Sequence, residues 1–138
     1  MNNPIPIQGL DHVVLRVTDV EAVVAFYTGV LQCPIERRND EIGLIQLRAG
    51  DALIDIVPVD SKLGAMGGPA PGADGHNLDH FCLRLRRFDE EEILAYLAEA
   101  GIENDGAGTR YGADGYGPSI YIRDPAGNTV ELKGPSGR

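Results

Sequence analysis

The sequence is short of positive charge. Twelve Lys and Arg stand against 21 Asp and Glu, a formal net charge of −9. That balance excludes nucleic acid and anionic membrane as natural partners, because phosphate binding needs a basic face. No apolar run approaches the ~20 residues of a membrane span. The opening MNNPIPIQ lacks a charged segment followed by an apolar one, so no secretory signal is expected. Only two cysteines are present, Cys33 and Cys82, without metal-type spacing. They read as free thiols in a reducing cytoplasm rather than as a disulfide framework. What remains is an ordinary globular composition, 43% hydrophobic over 138 residues. It suits one domain, or two small modules sharing one core, acting on a small molecule.

The chain repeats a phrase. LDHVVLRV, residues 10–17, returns as LDHFCLRL, residues 78–85, and the two hold two of the three histidines. Both alternate as strands do. His12, Val14 and Arg16 share one face and Val13, Leu15 and Val17 the other; His80, Cys82 and Arg84 then oppose Phe81, Leu83 and Leu85. After the first copy, Thr18 and Glu21 have capping-box spacing, and Val20, Val23, Val24, Tyr27 and Leu31 follow a helical period. Three strands are expected next, at about 34–39, 43–48 and 52–58, the last two joined by a tight turn at 49–51. After the second copy, Asp89 and Glu92 open a helix that Gly101 ends. A strand near 102–104 and a glycine-rich loop precede SIYIRD and TVELK, a hairpin turned at 125–128.

The same order of elements after both copies makes the repeat credible. The expected fold is therefore α+β, two tandem βαβββ modules at about 8–58 and 78–134, separated by a Gly/Pro-rich linker at 59–77. Each module has a four-stranded sheet with a helix on one face. The apolar parity set faces the helices, and the set carrying the histidines faces the concave side.

Acidic residues fall on the final strand of each module. Asp55 lies between Ile54 and Ile56, and Glu131 between Val130 and Leu132. A carboxylate in such surroundings is costly unless it is paired or bound to metal. If the modules face each other, His12, Asp55, His80 and Glu131 share one cavity, a donor set suited to a divalent transition metal with open positions. A single strand histidine is more often a hydrogen-bonded structural residue; two at equivalent positions, with carboxylates at equivalent later positions, favour ligands. Asp55 is one methylene shorter than Glu and is expected either in the ligand set or just outside it.

Asp11 and Asp79 have the opposite parity and read as strand-start residues, with support of the neighbouring histidine the lesser alternative. Arg16 and Arg84 share the histidine face, to bind an anionic substrate or to pair with a cavity carboxylate. Tyr111 and Tyr116 are expected to be either lid residues over substrate or loop anchors. Cys82 reads as a small cavity filler, and His76 as a solvated loop residue.

These features resemble the vicinal oxygen chelate superfamily, the glyoxalase, fosfomycin-resistance and extradiol-dioxygenase group. The likeness rests on LDHVVLRVTDVEAVVAFYTGVL, LDHFCLRL and IYIRDPAGNTVEL, and spans Leu10 to Gly134. It implies paired modules around a barrel-like metal cavity, often completed across a homodimer. His12, His80 and Glu131 match the family's metal triad, for which Zn, Ni, Co, Mn or Fe is the implied ion. Asp55 falls where glyoxalase I enzymes carry a Glu. Arg16 resembles an arginine near their glutathione site, which makes glutathione or another thiol a candidate co-substrate.

The resemblance implies a glyoxalase-like lyase or isomerase that chelates adjacent substrate oxygens, with Glu131, or Asp55, as the base. The alternatives are a fosfomycin-type thiol transferase, a ring-cleaving dioxygenase, a non-catalytic protein that sequesters a small ligand, or a regulatory domain.

Overall fold

The computed structural model describes residues 2–137. The first phrase forms β1 (His12–Val17), followed by α1 (Val20–Ala25) and a π-helical turn over Phe26–Val30. Strands β2 (Ile35–Asn39), β3 (Leu44–Ala49) and β4 (Ala52–Pro58) complete the first module. The second repeats the plan with β5 (Phe81–Arg84), α2 (Glu90–Glu99), β6 (Gly108–Gly112), β7 (Gly115–Arg123) and β8 (Thr129–Lys133). Strand order is β1-β4-β3-β2 in one sheet and β5-β8-β7-β6 in the other. In each, the first and last strands run parallel and the rest antiparallel. The expected α+β pair of βαβββ modules is thus present.

Local chemistry explains most boundaries. The Asp89 side chain accepts from the Glu92 amide at 3.0 Å, and Gly101 follows α2 with a left-handed φ of +72°. In module one, Asp19 rather than Thr18 caps the helix, accepting from the Ala22 amide at 3.1 Å. Residues 102–104 contribute a single bridge, Asn104 to Ile122, instead of a strand. The second glycine-rich stretch is the β6–β7 hairpin rather than a loop.

Alternation then sorts the faces. Leu15, Val17, Ile54 and Ile56 are buried against Val23, Phe26 and Tyr27 of the first module. Ile120, Ile122, Val130, Leu132 and Leu97 of the second belong to the same core. Each such side chain, fully buried, contributes about 1.5–3 kcal/mol.

A polar network crosses the junction. The buried Tyr27 hydroxyl donates to Asp124 Oδ2 at 2.7 Å, and Asp124 also accepts from the amides of Ala126 and Asn128 and from Asn128 Nδ2. Asn77, at the end of the linker, pairs with both backbone groups of Arg16 and donates to Asn128 Oδ1 at 3.0 Å. It thereby covers the free edge of β1 and joins it to the turn of the other module.

Among the described residues the two sheets are not hydrogen-bonded to each other and do not close into a barrel. Because both turn their apolar faces to one core, the faces carrying the histidines look outward.

Candidate metal centre

In module one, β1 and β4 lie side by side with Val14 opposite Asp55. Asp55 is 4% exposed, and its Oδ2 lies 3.9 Å from His12 Nε2. Gln46, its register partner on β3, donates from Nε2 to Asp55 Oδ1 at 3.2 Å. The other side of the imidazole is also held, with Nδ1 2.7 Å from Asp11 Oδ2. The Asp11 carboxylate, then Asp55, hold the His12 pKa above its ordinary value.

Module two repeats the arrangement. Glu131 is 6% exposed, and its Oε1 lies 3.3 Å from His80 Nε2. His80 Nδ1 is 3.0 Å from Asp79 Oδ2. Tyr121, the register partner of Glu131, stands where Gln46 stands in module one, and its ring meets the His80 ring edge-on at 5.4 Å. Burial, and then the Glu131 charge, push the Tyr121 phenol up. Partial burial and Glu131 likewise push the thiol of Cys82, an exposed residue beside the site, up to about 11.

The two half-sites do not merge within one chain. Among the described residues, no group of three or more His, Cys, Asp and Glu side chains is gathered to hold a metal. Within one chain the four residues expected to share a cavity stand as two outward-facing pairs, His12 with Asp55 and His80 with Glu131.

Arg16 is committed elsewhere. Its Nε donates to Gly64 O at 3.0 Å, one terminal nitrogen to Gly67 O and Pro69 O, and the other to Gly68 O at 2.6 Å. The guanidinium holds down the linker turn, so the structure does not present it as the substrate-binding group expected. Tyr111 and Tyr116 are register partners whose rings meet at 4.9 Å. By strand alternation they stand on the face opposite Arg110, away from Glu131, and the structure does not bring them to the site.

Arg84 is opposite Lys133 in register, on the same face as Cys82 and Glu131. Two further cations join it. Lys133, 5% exposed, pairs with Asp114 at 3.3 Å, and Arg110 lies 4.4 Å over the Tyr121 ring while donating to Ser119 Oγ at 2.8 Å. Gln46, Tyr121, Arg110 and Lys133 were not singled out from the sequence. Hairpin register would have found the first two, since the turns at 49–51 and 125–128 place them opposite Asp55 and Glu131.

Comparison with known proteins agrees with this architecture. Virulence protein STM3117 of Salmonella typhimurium is 28% identical over 132 residues, covering 91% of this chain and 83% of that protein. Its crystal structure matches with a TM-score of 0.70 at 27% identity, over 94% of this chain and 98% of that one. An integron cassette protein from the V. cholerae mobile metagenome matches with a TM-score of 0.72 at 26% identity, over 93% and 95%. A lactoylglutathione lyase from Agrobacterium tumefaciens shares the fold, with a TM-score of 0.67 at 20% identity over 94% and 95%. The family described as the Glyoxalase/Bleomycin resistance protein/Dioxygenase superfamily matches residues 9–132, nearly the whole of both modules. This chain, with its duplicated βαβββ plan, belongs to that superfamily.

Proposed function

We propose that the chain is a divalent-metal-dependent enzyme with glyoxalase-like lyase or isomerase chemistry on a small molecule carrying two adjacent oxygens. The observation that carries this reading is the pair of matched half-sites, each a buried carboxylate facing an imidazole Nε2. Their nitrogens and oxygens form a donor set that fits Zn, Ni, Co, Mn or Fe. The fit is by halves, so a homodimer supplies the rest: His12 and Asp55 of one protomer with His80 and Glu131 of its partner. An isologous pair builds two such sites. Val14, exposed between His12 and Arg16 on that face, gains cover in such an arrangement.

A bound divalent metal would supply Lewis acidity toward the two substrate oxygens. Glu131 is the group to take a proton alpha to a carbonyl, with Asp55 as the alternative. Its oxygen faces His80 Nε2 at 3.3 Å, with Tyr121 opposite it in register. Arg84 and Arg110, on the Glu131 side, orient an anionic portion of the substrate. Those cations also favour a second reading, thiol transfer to an anionic electrophile with glutathione or another thiol as co-substrate. The two free thiols, Cys33 buried and Cys82 exposed, support a cytoplasmic home. No helix among the described residues is long and apolar enough to cross a membrane.

The test begins with metal analysis of protein purified without chelator. About one divalent ion per chain is expected, lost in His12→Ala and in His80→Ala. Failure to take up Mn, Ni, Co or Zn would overturn the enzyme reading. Given metal, a panel of hemithioacetal, fosfomycin plus thiol, and catechol separates lyase, transferase and dioxygenase. Ligand binding without turnover across the panel would leave a sequestering protein.

A further inference from the structure

Each half-site contains a group that the metal reading does not use. His12 stands between two carboxylates, Asp11 Oδ2 at 2.7 Å from Nδ1 and Asp55 Oδ2 at 3.9 Å from Nε2. His80 stands likewise between Asp79 Oδ2, 3.0 Å from Nδ1, and Glu131 Oε1, 3.3 Å from Nε2. The order of outer carboxylate, imidazole and inner carboxylate recurs at the same place in both modules, although the inner residue changes from Asp to Glu. The outer carboxylates lie on the far side of each ring, so they do not converge with the inner ones on a common point.

Stability does not account for the outer pair. The Asp11 and Asp79 side chains are 89% and 92% exposed, where solvent screens such a contact until it adds little to stability. Among the described residues, neither side chain caps a helix or accepts from a backbone amide; each reaches only its histidine. They reach it despite opposite parity because β1 begins at His12 and β5 at Phe81. Asp11 and Asp79 precede the pleat, where strict alternation does not yet hold.

We infer that Asp11 and Asp79 are positioning residues for the two histidines. An ionised carboxylate only accepts hydrogen bonds, so each contact requires a proton on Nδ1. In the neutral imidazole this leaves the lone pair on Nε2, the nitrogen that faces Asp55 or Glu131. The contact also fixes ring rotation and raises the basicity of Nε2 as a ligand. Duplication carried the device into both halves, so each site assembled from two halves contains it twice. This inference rests on the metal site proposed above, and its test separates the two.

The full-length chain, stripped of metal, is titrated with Mn and with Zn by calorimetry, as wild type and as Asp11→Ala, Asp79→Ala, Asp11→Asn and Asp79→Asn. Each Ala variant is expected to bind metal about 10–100-fold more weakly. The melting temperature of the metal-free protein should not change. The Asn variants should recover part of the affinity, since their Oδ1 still accepts from Nδ1 but carries no charge. Nitrogen-15 NMR of the metal-free protein, well above the imidazole titration, should show the Nδ1–H tautomer at His12 and His80 in wild type. The matching Ala variant should lose it. Wild-type metal affinity in the Ala variants, or an unchanged tautomer, would overturn the positioning role. If wild type takes up no metal, the metal reading falls, and the tautomer still decides whether these aspartates position their histidines.

Discussion

At the scale of single residues, one methylene separates the two half-sites. The Glu131 oxygen comes within 3.3 Å of its imidazole, while the Asp55 oxygen stops at 3.9 Å. Glu131 is therefore the stronger candidate for base and ligand, and Gln46 steadies the shorter carboxylate. Arg16 shows a limit of reasoning from parity. Its place on the histidine face was legible, and β1 does put it there. Its partners, four carbonyls between Gly64 and Pro69, lie about fifty residues away in a segment without periodicity. Arg16→Ala should release that turn, cost about 1–2 kcal/mol in denaturant unfolding, and speed proteolytic cutting within 59–77. Arg16→Lys should restore only part, because an ammonium lacks the planar fork. Wild-type proteolysis of Arg16→Ala, combined with a raised KM, would return Arg16 to the substrate.

At the scale of elements, period-two alternation was the most informative signal. It separated Leu15 and Val17 from His12 and Arg16, as the burial of β1 does, and Ile54 and Ile56 from Asp55, although all three of these are buried. Glycine content misled. The stretch around 105–117 reads as loop, yet Gly112 and Gly117 lie in a hairpin where the Lys133 side chain passes. A Cβ at Gly112 would come 2.9 Å from Lys133 Cε, and one at Gly117 3.1 Å from its Nζ. These glycines serve close approach rather than flexibility. The turn between β7 and β8 does more than reverse the chain. Asp124 is buried, and its partners include Tyr27 from the other module. Tyr27→Phe should lower unfolding stability by about 1.5–3 kcal/mol, as loss of a buried hydrogen bond to a charged group does. Asp124→Ala should cost more, since it leaves the Tyr27 hydroxyl, Asn128 Nδ2 and two amides without their acceptor. Equal melting curves for wild type and Tyr27→Phe would show that the network does not hold the modules together.

At the scale of the whole molecule, the outward half-sites make a prediction about chain pairing. If each site joins two chains, a mixture of His12→Ala and His80→Ala should regain metal that neither binds alone. A mixed dimer then contains one site with both histidines and one with neither. Random reassortment should restore about a quarter of the wild-type metal, since half the dimers are mixed and each has one good site. A site built within one chain gives no recovery on mixing. Metal content after co-refolding, read beside the dimer fraction in sedimentation, distinguishes the two.

The sequence by itself determined the duplicated βαβββ plan, the faces of its strands and the four residues His12, Asp55, His80 and Glu131, because these follow from local period and from a repeat visible in order. Only the tertiary structure decided that the two sheets share a core on their apolar sides, which turns the half-sites outward instead of toward each other. It also showed that Arg16 grips the linker and that the Asp11 and Asp79 carboxylates reach the neighbouring histidines. Those outcomes depend on how modules pack and on where strands begin, and neither is written in the period of any one segment.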